Sequence, residues 1–295
     1  RVEKLIRSAS HPAEEVKIAI STVLGDTKDP RAIRTLANLV KDPSEKVRTS
    51  AIEAIGKIGT TAAVQPSIEA LSDSVETVRA KAAEVLGELK DTAAVEFLQR
   101  ASKDSSEQVR KLSVKALSMM ADARVPEIII SALSDKSEIV RATAVEALGE
   151  RRDKIALNHL IKTLEDASEK VRSTAAEAIA KLGQPSAILP MLGRLDDPSP
   201  LVPLACSEAI VSFGENSYEV LIEALKHPED RIRRHASDLL IRIGEKNLVN
   251  RLLQLSQDRN NFLRENIARI LGKIGDGSVI ETLMVLLTDR SSLVR

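Results

Sequence analysis

Tryptophan is absent from this 295-residue chain, which holds one Tyr, three Phe and a single cysteine, Cys206. With so few aromatics the core has to be assembled from Ala, Leu, Ile and Val, and the 43% hydrophobic content is ample for that. One cysteine excludes an intramolecular disulfide and any multi-cysteine metal site, and it agrees with a reducing, cytoplasmic setting. No uninterrupted apolar run reaches the ~18 residues a membrane-spanning helix needs, so no membrane insertion of this segment is expected. Lys plus Arg number 43 and Asp plus Glu number 43. A formal net charge of zero excludes a surface tuned throughout to nucleic acid or anionic lipid, while leaving local patches open. The want of aromatics to stack bases further disfavours nucleic acid as a partner.

Catalytic constellations are also missing. The four histidines, His11, His159, His227 and His235, are dispersed, and none belongs to a His-Glu-x-x-His metal motif. Cys206 has no His in its immediate segment to activate it. The stretches Gly56-Lys57-Ile58-Gly59 and Gly272-Lys273-Ile274-Gly275 imitate phosphate loops. Both fall at helix C-termini, the wrong end of the dipole for an anion. No catalytic residue, metal or cofactor is assigned.

What the chain does have is a repeat. Val-Arg recurs as Val47-Arg48, Val78-Arg79, Val109-Arg110, Val140-Arg141 and Val171-Arg172, each 31 residues after the last. The register extends back to Val16-Lys17 and forward to Val202-Pro203. It slips by one residue to Ile232-Arg233, then resumes at Leu263-Arg264 and Val294-Arg295.

Within a unit, Asp29-Pro30 opens a segment whose Ile33, Leu36, Leu39 and Val40 fall at helical spacing. Asp42-Pro43-Ser44-Glu45 follows and reads as a capping box, with Asp at the N-cap, Pro at the first helical position and Glu at the third. Val47, Ala51, Ile52, Ala54, Ile55 and Ile58 then keep a 3.6-residue period up to Gly59, a residue suited to a left-handed C-cap. Each unit is thus two antiparallel helices of about 11 and 15 residues. The Asp column runs on through Asp73, Asp104, Asp135, Asp166, Asp197, Asp258 and Asp289, with His11 and His227 as variant caps.

A helix pair of this size cannot bury its apolar face alone, so neighbours must stack around one continuous core. Ala51, Ala82, Ser113, Ala144, Ala175, Cys206 and Ala236 fill one slot and allow helix axes to approach closely. The Arg column (Arg48, Arg79, Arg110, Arg141, Arg172, Arg233 and Arg264) is expected to meet the Asp column across repeat boundaries as a ladder of partly buried ion pairs.

Units such as Asp135 to Gly149 resemble HEAT repeats, specifically the short type named after phycobilisome lyase subunits, and the resemblance covers essentially the whole chain. Pro66 and Pro190 stand early in the first helix, where such repeats often carry proline. The resemblance implies an all-α, right-handed α-solenoid of about nine two-helix repeats. It is expected to be one array over residues 1–295, cut within a repeat at both ends. The segment 196–203, with Pro198, Pro200 and Pro203, marks an irregular junction or bend. Members of the family are mostly scaffolds that bind macromolecules along one surface. HEAT-like hydroxylases that bind iron carry His-Glu pairs in several repeats, and this sequence has no His-Glu dipeptide.

Binding is expected on the face lined by the second helices. Six residues after each Val-like position stand Glu53, Glu84, Lys115, Glu146, Glu177, Glu208, Asp238 and Arg269. Glu53, Glu84, Glu146, Glu177, Glu208 and Asp238 make an acidic stripe that suits a basic segment of a protein partner. Glutamate is equally a good solvated helix former. Arg231, Arg234, His235, Arg242, Arg269 and Lys273 form a basic end that suits phosphate, nucleic acid or an acidic partner. The reading is a non-catalytic protein-interaction scaffold. Its alternatives are a lyase-like chaperone that attaches a chromophore or cofactor to a partner, a phosphate or nucleic-acid contact at the basic repeats, and a regulatory or spacer segment of a larger signalling or membrane protein.

Overall fold

In the computed structural model, which describes residues 2–244, 246–275 and 277–295, the helix-start and helix-stop signals produce nineteen α-helices and no strand among the described residues. The chain divides into two compact units, Arg1–Arg151 and Arg152–Arg295. The first contains α1 (Val2–Ser8), α2 (Glu14–Thr27), α3 (Ile33–Leu39), α4 (Glu45–Ile58), α5 (Val64–Ala70), α6 (Glu76–Leu89), α7 (Val95–Ala101), α8 (Glu107–Ser118), α9 (Val125–Ala132) and α10 (Glu138–Arg151). The second contains α11 (Leu157–Thr163), α12 (Glu169–Leu182), α13 (Ile188–Leu192), α14 (Leu201–Ser212), α15 (Tyr218–Ala224), α16 (Asp230–Ile243), α17 (Lys246–Leu255), α18 (Asn261–Ile274) and α19 (Ile280–Leu286). The three prolines of 196–203 lie within this second unit.

The first helix of a unit is shorter than its apolar pattern suggests. Residues 30–32 form a tight 3₁₀ turn, and the α-helix proper covers only Ile33–Leu39. The same opening recurs at 61–63, 92–94, 154–156 and 185–187. Each ends on an alanine with no accessible surface, namely Ala32, Ala63, Ala94, Ala156 and Ala187. A larger side chain there would separate the turn from the core.

The start of the second helix also differs from its expected register. Ser44, not Asp42, is the N-cap of α4, and Glu45 is the first helical residue. The Ser44 hydroxyl accepts the Val47 N–H, while the Asp42 carboxylate accepts the Ser44 N–H at 2.9 Å in a turn before the helix. Asp73, Asp104, Asp135, Asp197, Asp258 and Asp289 do the same for the N–H two residues on. In most repeats the same carboxylate also accepts from the Arg or Lys of the preceding repeat. At the far end Gly59 closes α4 in the left-handed region, at φ 68°.

Second helices pack in series, α2 on α4, α4 on α6 and α6 on α8 in the first unit, then α12 on α14 and α16 on α18 in the second. Ala51, Ala82, Ser113, Ala144, Ala175, Cys206 and Ala236 have no accessible surface, as the small-residue slot requires. Burial pushes the Cys206 thiol up to about 12, which makes it a packing group and no nucleophile at neutral pH. Ser113 is the one strained choice, because its buried hydroxyl finds no hydrogen-bond partner. Ser113→Ala is therefore expected to raise stability by about 1 kcal/mol, read from chemical denaturation midpoints at constant slope.

Candidate functional site: the outward face of the second helices

Which charges remain free for a partner depends on which the fold consumes, and the ladder consumes most of two columns. Arg48 donates from Nε and Nη2 to the Asp73 carboxylate at 2.7 and 2.9 Å, and from Nη1 to the Asp42 and Pro43 carbonyls of its own repeat. Arg79 with Asp104 and Arg110 with Asp135 repeat this arrangement in the first unit. Arg172 with Asp197 and Arg264 with Asp289 repeat it in the second. Lys17 reaches Asp42 as a simpler version. The planar guanidinium fork explains the preference for Arg, since one side chain satisfies a carboxylate and two loop carbonyls at once.

Arg233 departs from the expected ladder. Among the described residues no ion pair joins it to Asp258. Its Nη2 donates to Asp230 at 2.9 Å and its guanidinium lies 4.2 Å over the Phe262 ring. The shorter Asp230, standing where Glu45 or Glu76 stands in other repeats, draws the fork back to its own helix. One rung earlier both members are replaced together. Pro203 occupies the Arg position and His227 the Asp position. His227 Nδ1 accepts the Glu229 N–H at 3.2 Å, and His11 Nδ1 likewise accepts the Ala13 N–H at 3.1 Å. A neutral imidazole can thus fill the aspartate's turn-forming role without its ion-pairing role.

The outward column is as the helical phase dictates. Glu53, Glu84, Lys115, Glu146, Glu177, Glu208, Asp238 and Arg269 are all exposed. The stripe is partly neutralised, because Lys57 lies 3.7 Å from Glu53, Lys81 lies 2.7 Å from Glu84, and Arg242 pairs with Glu208. Glu146, Glu177 and Asp238 have no ion-pair partner among the described residues.

The basic end is more fully paired than its sequence suggests. Arg231 lies 2.6 Å from Glu229, Arg234 lies 2.9 Å from Asp230, and Arg269 lies 3.6 Å from Glu265. His235 Nε2 sits 3.1 Å from Asp196, and the imidazole holds that carboxyl below the usual carboxylate range. Lys273 is exposed and has no ion-pair partner among the described residues. Among the described residues no group of three or more His, Cys, Asp or Glu is gathered to hold a metal, and no helix is long and apolar enough to cross a membrane.

One feature of this face escaped the sequence reading. Between α12 and α14 lies an open groove of about 580 Å³. Ala180, Ala205 and Ala209 line it with small apolar surface, Leu201 and Leu204 add larger side chains, and Glu177, Glu208 and Lys170 are its charged members. The signal was available one residue before and two after Val202. Leu201 and Leu204 stand there, where the flanking repeats place Lys170 and Ser173 or Arg231 and Arg234.

Serially packed helix pairs in a 31-residue register, joined by an internal Arg–Asp ladder, define an α-solenoid repeat protein. The family model described as HEAT repeats matches residues 2–76, 64–130, 125–211 and 218–295, so the chain belongs to the HEAT-repeat family. No curated protein matches the sequence. Among solved structures, an engineered protein is similar in fold, with a TM-score of 0.51 and 18% identity over 99% of this chain and 96% of that one. The complex of CpcE and CpcF of phycocyanin lyase from Nostoc sp. aligns with a TM-score of 0.46 and 17% identity over 82% of this chain and 94% of that one.

Proposed function

We propose that the chain is a non-catalytic scaffold that holds one or more protein partners on the surface lined by its second helices. The observation that carries this reading is the division of labour among its charges. Most of the Arg and Asp columns are spent inside the fold, whereas the column six residues after each Val-like position is exposed and built into no ladder among the described residues. HEAT repeats usually mediate protein interactions, and a face of this kind gains affinity from area and charge pattern in the absence of Trp and the near-absence of other aromatic anchors. The basic end supports a phosphate or nucleic-acid contact less well, since Arg231, Arg234, Arg242 and Arg269 each already face a carboxylate.

The test is an affinity capture from source-cell lysate that compares the wild type with a Glu146→Lys, Glu177→Lys, Glu208→Lys variant. A specific protein recovered by the wild type is expected to fall at least about tenfold with the variant, at unchanged helical content and melting, since close like charges across an interface oppose binding strongly. Equal recovery would remove the acidic column from the binding surface.

A further inference from the structure

We propose that the groove between α12 and α14 is a docking site for a partner peptide segment carrying an aliphatic or aromatic side chain within one helical turn of a Lys or Arg. This deepens the scaffold reading and rests on it. A surface helix in a repeat array needs an apolar stripe toward the core and a polar stripe toward water. α14 has the first in Val202, Cys206, Ala209 and Ile210, all buried. It lacks the second on the groove side, where Leu201 and Leu204 are 49% and 58% exposed. Exposed apolar residues recur at the Leu201 slot, as Ile139 and Leu293, but Leu204 is exposed where the adjacent repeats place Ser173 and Arg234, and the two leucines together leave apolar surface beside the groove.

The rest of the groove agrees with an apolar occupant. The Ser173 and Ser212 hydroxyls along it donate to carbonyls of their own helices, Lys170 and Ala209, so those donors are turned away from a ligand. The volume, about 580 Å³, accommodates one or two side chains of a bound segment.

Charge then selects the class of partner. Glu177 and Glu208 occupy equivalent positions on adjacent second helices, and both line the groove, Glu208 already facing Arg242. Glu177 has no ion-pair partner among the described residues, so an arriving cation would meet a carboxylate that is already solvated and unspent. Lys170 on the rim opposes this preference, and its removal becomes a gain-of-binding test. An acidic or purely apolar segment would leave Glu177 either repelled or covered without a partner.

The experiment pans a random twelve-residue peptide library displayed on phage against the full chain. Fluorescence polarisation then measures the enriched peptides on wild type, Leu204→Asp, Glu177→Lys and Lys170→Glu. Enriched peptides are expected to share an apolar residue within four positions of a Lys or Arg. They should bind Leu204→Asp and Glu177→Lys at least tenfold more weakly, and Lys170→Glu several-fold more tightly. All three positions are on the surface, so melting should stay at the wild-type value, and a variant that melts lower is replaced by Leu204→Ser or Glu177→Gln. Peptides that bind all variants equally, or that are acidic, overturn the groove assignment while leaving the scaffold reading standing. An unproductive library overturns it as well. Self-association of the wild type that Leu204→Asp abolishes would assign the groove to a second copy and overturn the peptide assignment. Only an unproductive library together with unaltered capture by the triple glutamate variant would count against both readings.

Discussion

Replacing Arg110 by Ala is expected to destabilise the protein by about 3–5 kcal/mol, the range for removing one partner of a buried ion pair. Arg110 is the most enclosed ladder residue of the first unit, with 5% of its side chain exposed against 11% for Asp135. Its loss leaves the Asp135 carboxylate with the Ser137 N–H as its one hydrogen-bond donor among the described residues, and strips the Asp104 and Ser105 carbonyls of a shared donor. Arg110→Lys should recover only part of the loss, because an ammonium cannot serve the carboxylate in two-pronged fashion and the two carbonyls together. Arg110→Glu should be worse than Ala, since it faces one carboxylate with another. Urea denaturation followed by circular dichroism measures all three. A wild-type midpoint for Arg110→Glu would show that the ladder contributes nothing to stability.

The same rung sets a pH dependence. Burial pushes the Asp73, Asp104 and Asp135 carboxyls up, but hydrogen bonds from the guanidinium and the backbone outweigh it and hold each below its usual value. A carboxyl whose folded pKa is depressed binds fewer protons folded than unfolded, so its contribution is present above about pH 4 and fades as pH falls through the folded value. Wild-type stability should therefore decline below about pH 4. In Arg110→Ala the Asp135 carboxyl keeps the Ser137 N–H but has lost the guanidinium, the larger of the groups that lowered it, so protonation there costs the folded state much less. The gap between the two proteins should narrow from pH 5 to pH 2. A constant gap would mean that the arginine acts through packing of its stem alone.

The ladder was legible because a 25-residue offset from Arg48 to Asp73 recurs with the repeat. A contact that recurs with the repeat leaves its trace in the sequence, although Arg233 keeps the offset to Asp258 and turns to Asp230 instead. The outward column was legible for a related reason, since helical phase fixes Glu53 and Glu177 relative to buried Val47 and Val171. The cap register was not. Asp42 and Ser44 are both good N-caps, and a capping-box pattern alone does not say which of them takes the helix start and which the turn before it. The neutralisation of the basic end escaped in part because Arg242 pairs with Glu208 across 34 residues and Arg231 approaches Asp196 across 35, neither offset being the repeat's own. Leu201 and Leu204 were hidden differently. They sit in an apolar, proline-rich run where loss of amphipathicity is visible only once the core-facing residues are known.

Gly87→Ala and Gly272→Ala are expected to move stability in opposite directions, although both glycines stand nine residues after a Val-like position near the end of a second helix. Alanine in a helix is worth roughly 1 kcal/mol over glycine when nothing else changes. Around Gly272 an added Cβ meets nothing within 4 Å, so that gain should appear nearly whole. At Gly87 the same atom would lie 2.9 Å from the Ala116 Cα and 3.0 Å from its Cβ. The obstacle is backbone of α8, which cannot rotate aside as a side chain could, so α6 and α8 must separate and loosen the contacts between them. Overpacking of that kind costs about 1–3 kcal/mol and leaves a net loss at Gly87. Gly25 has the same relation to Ala54, at 2.8 Å from its Cα, and should behave like Gly87. Thermal melts of the three variants measure the pattern. If Gly87→Ala melted higher than wild type, the close approach of α6 and α8 could not be what holds a glycine at that position.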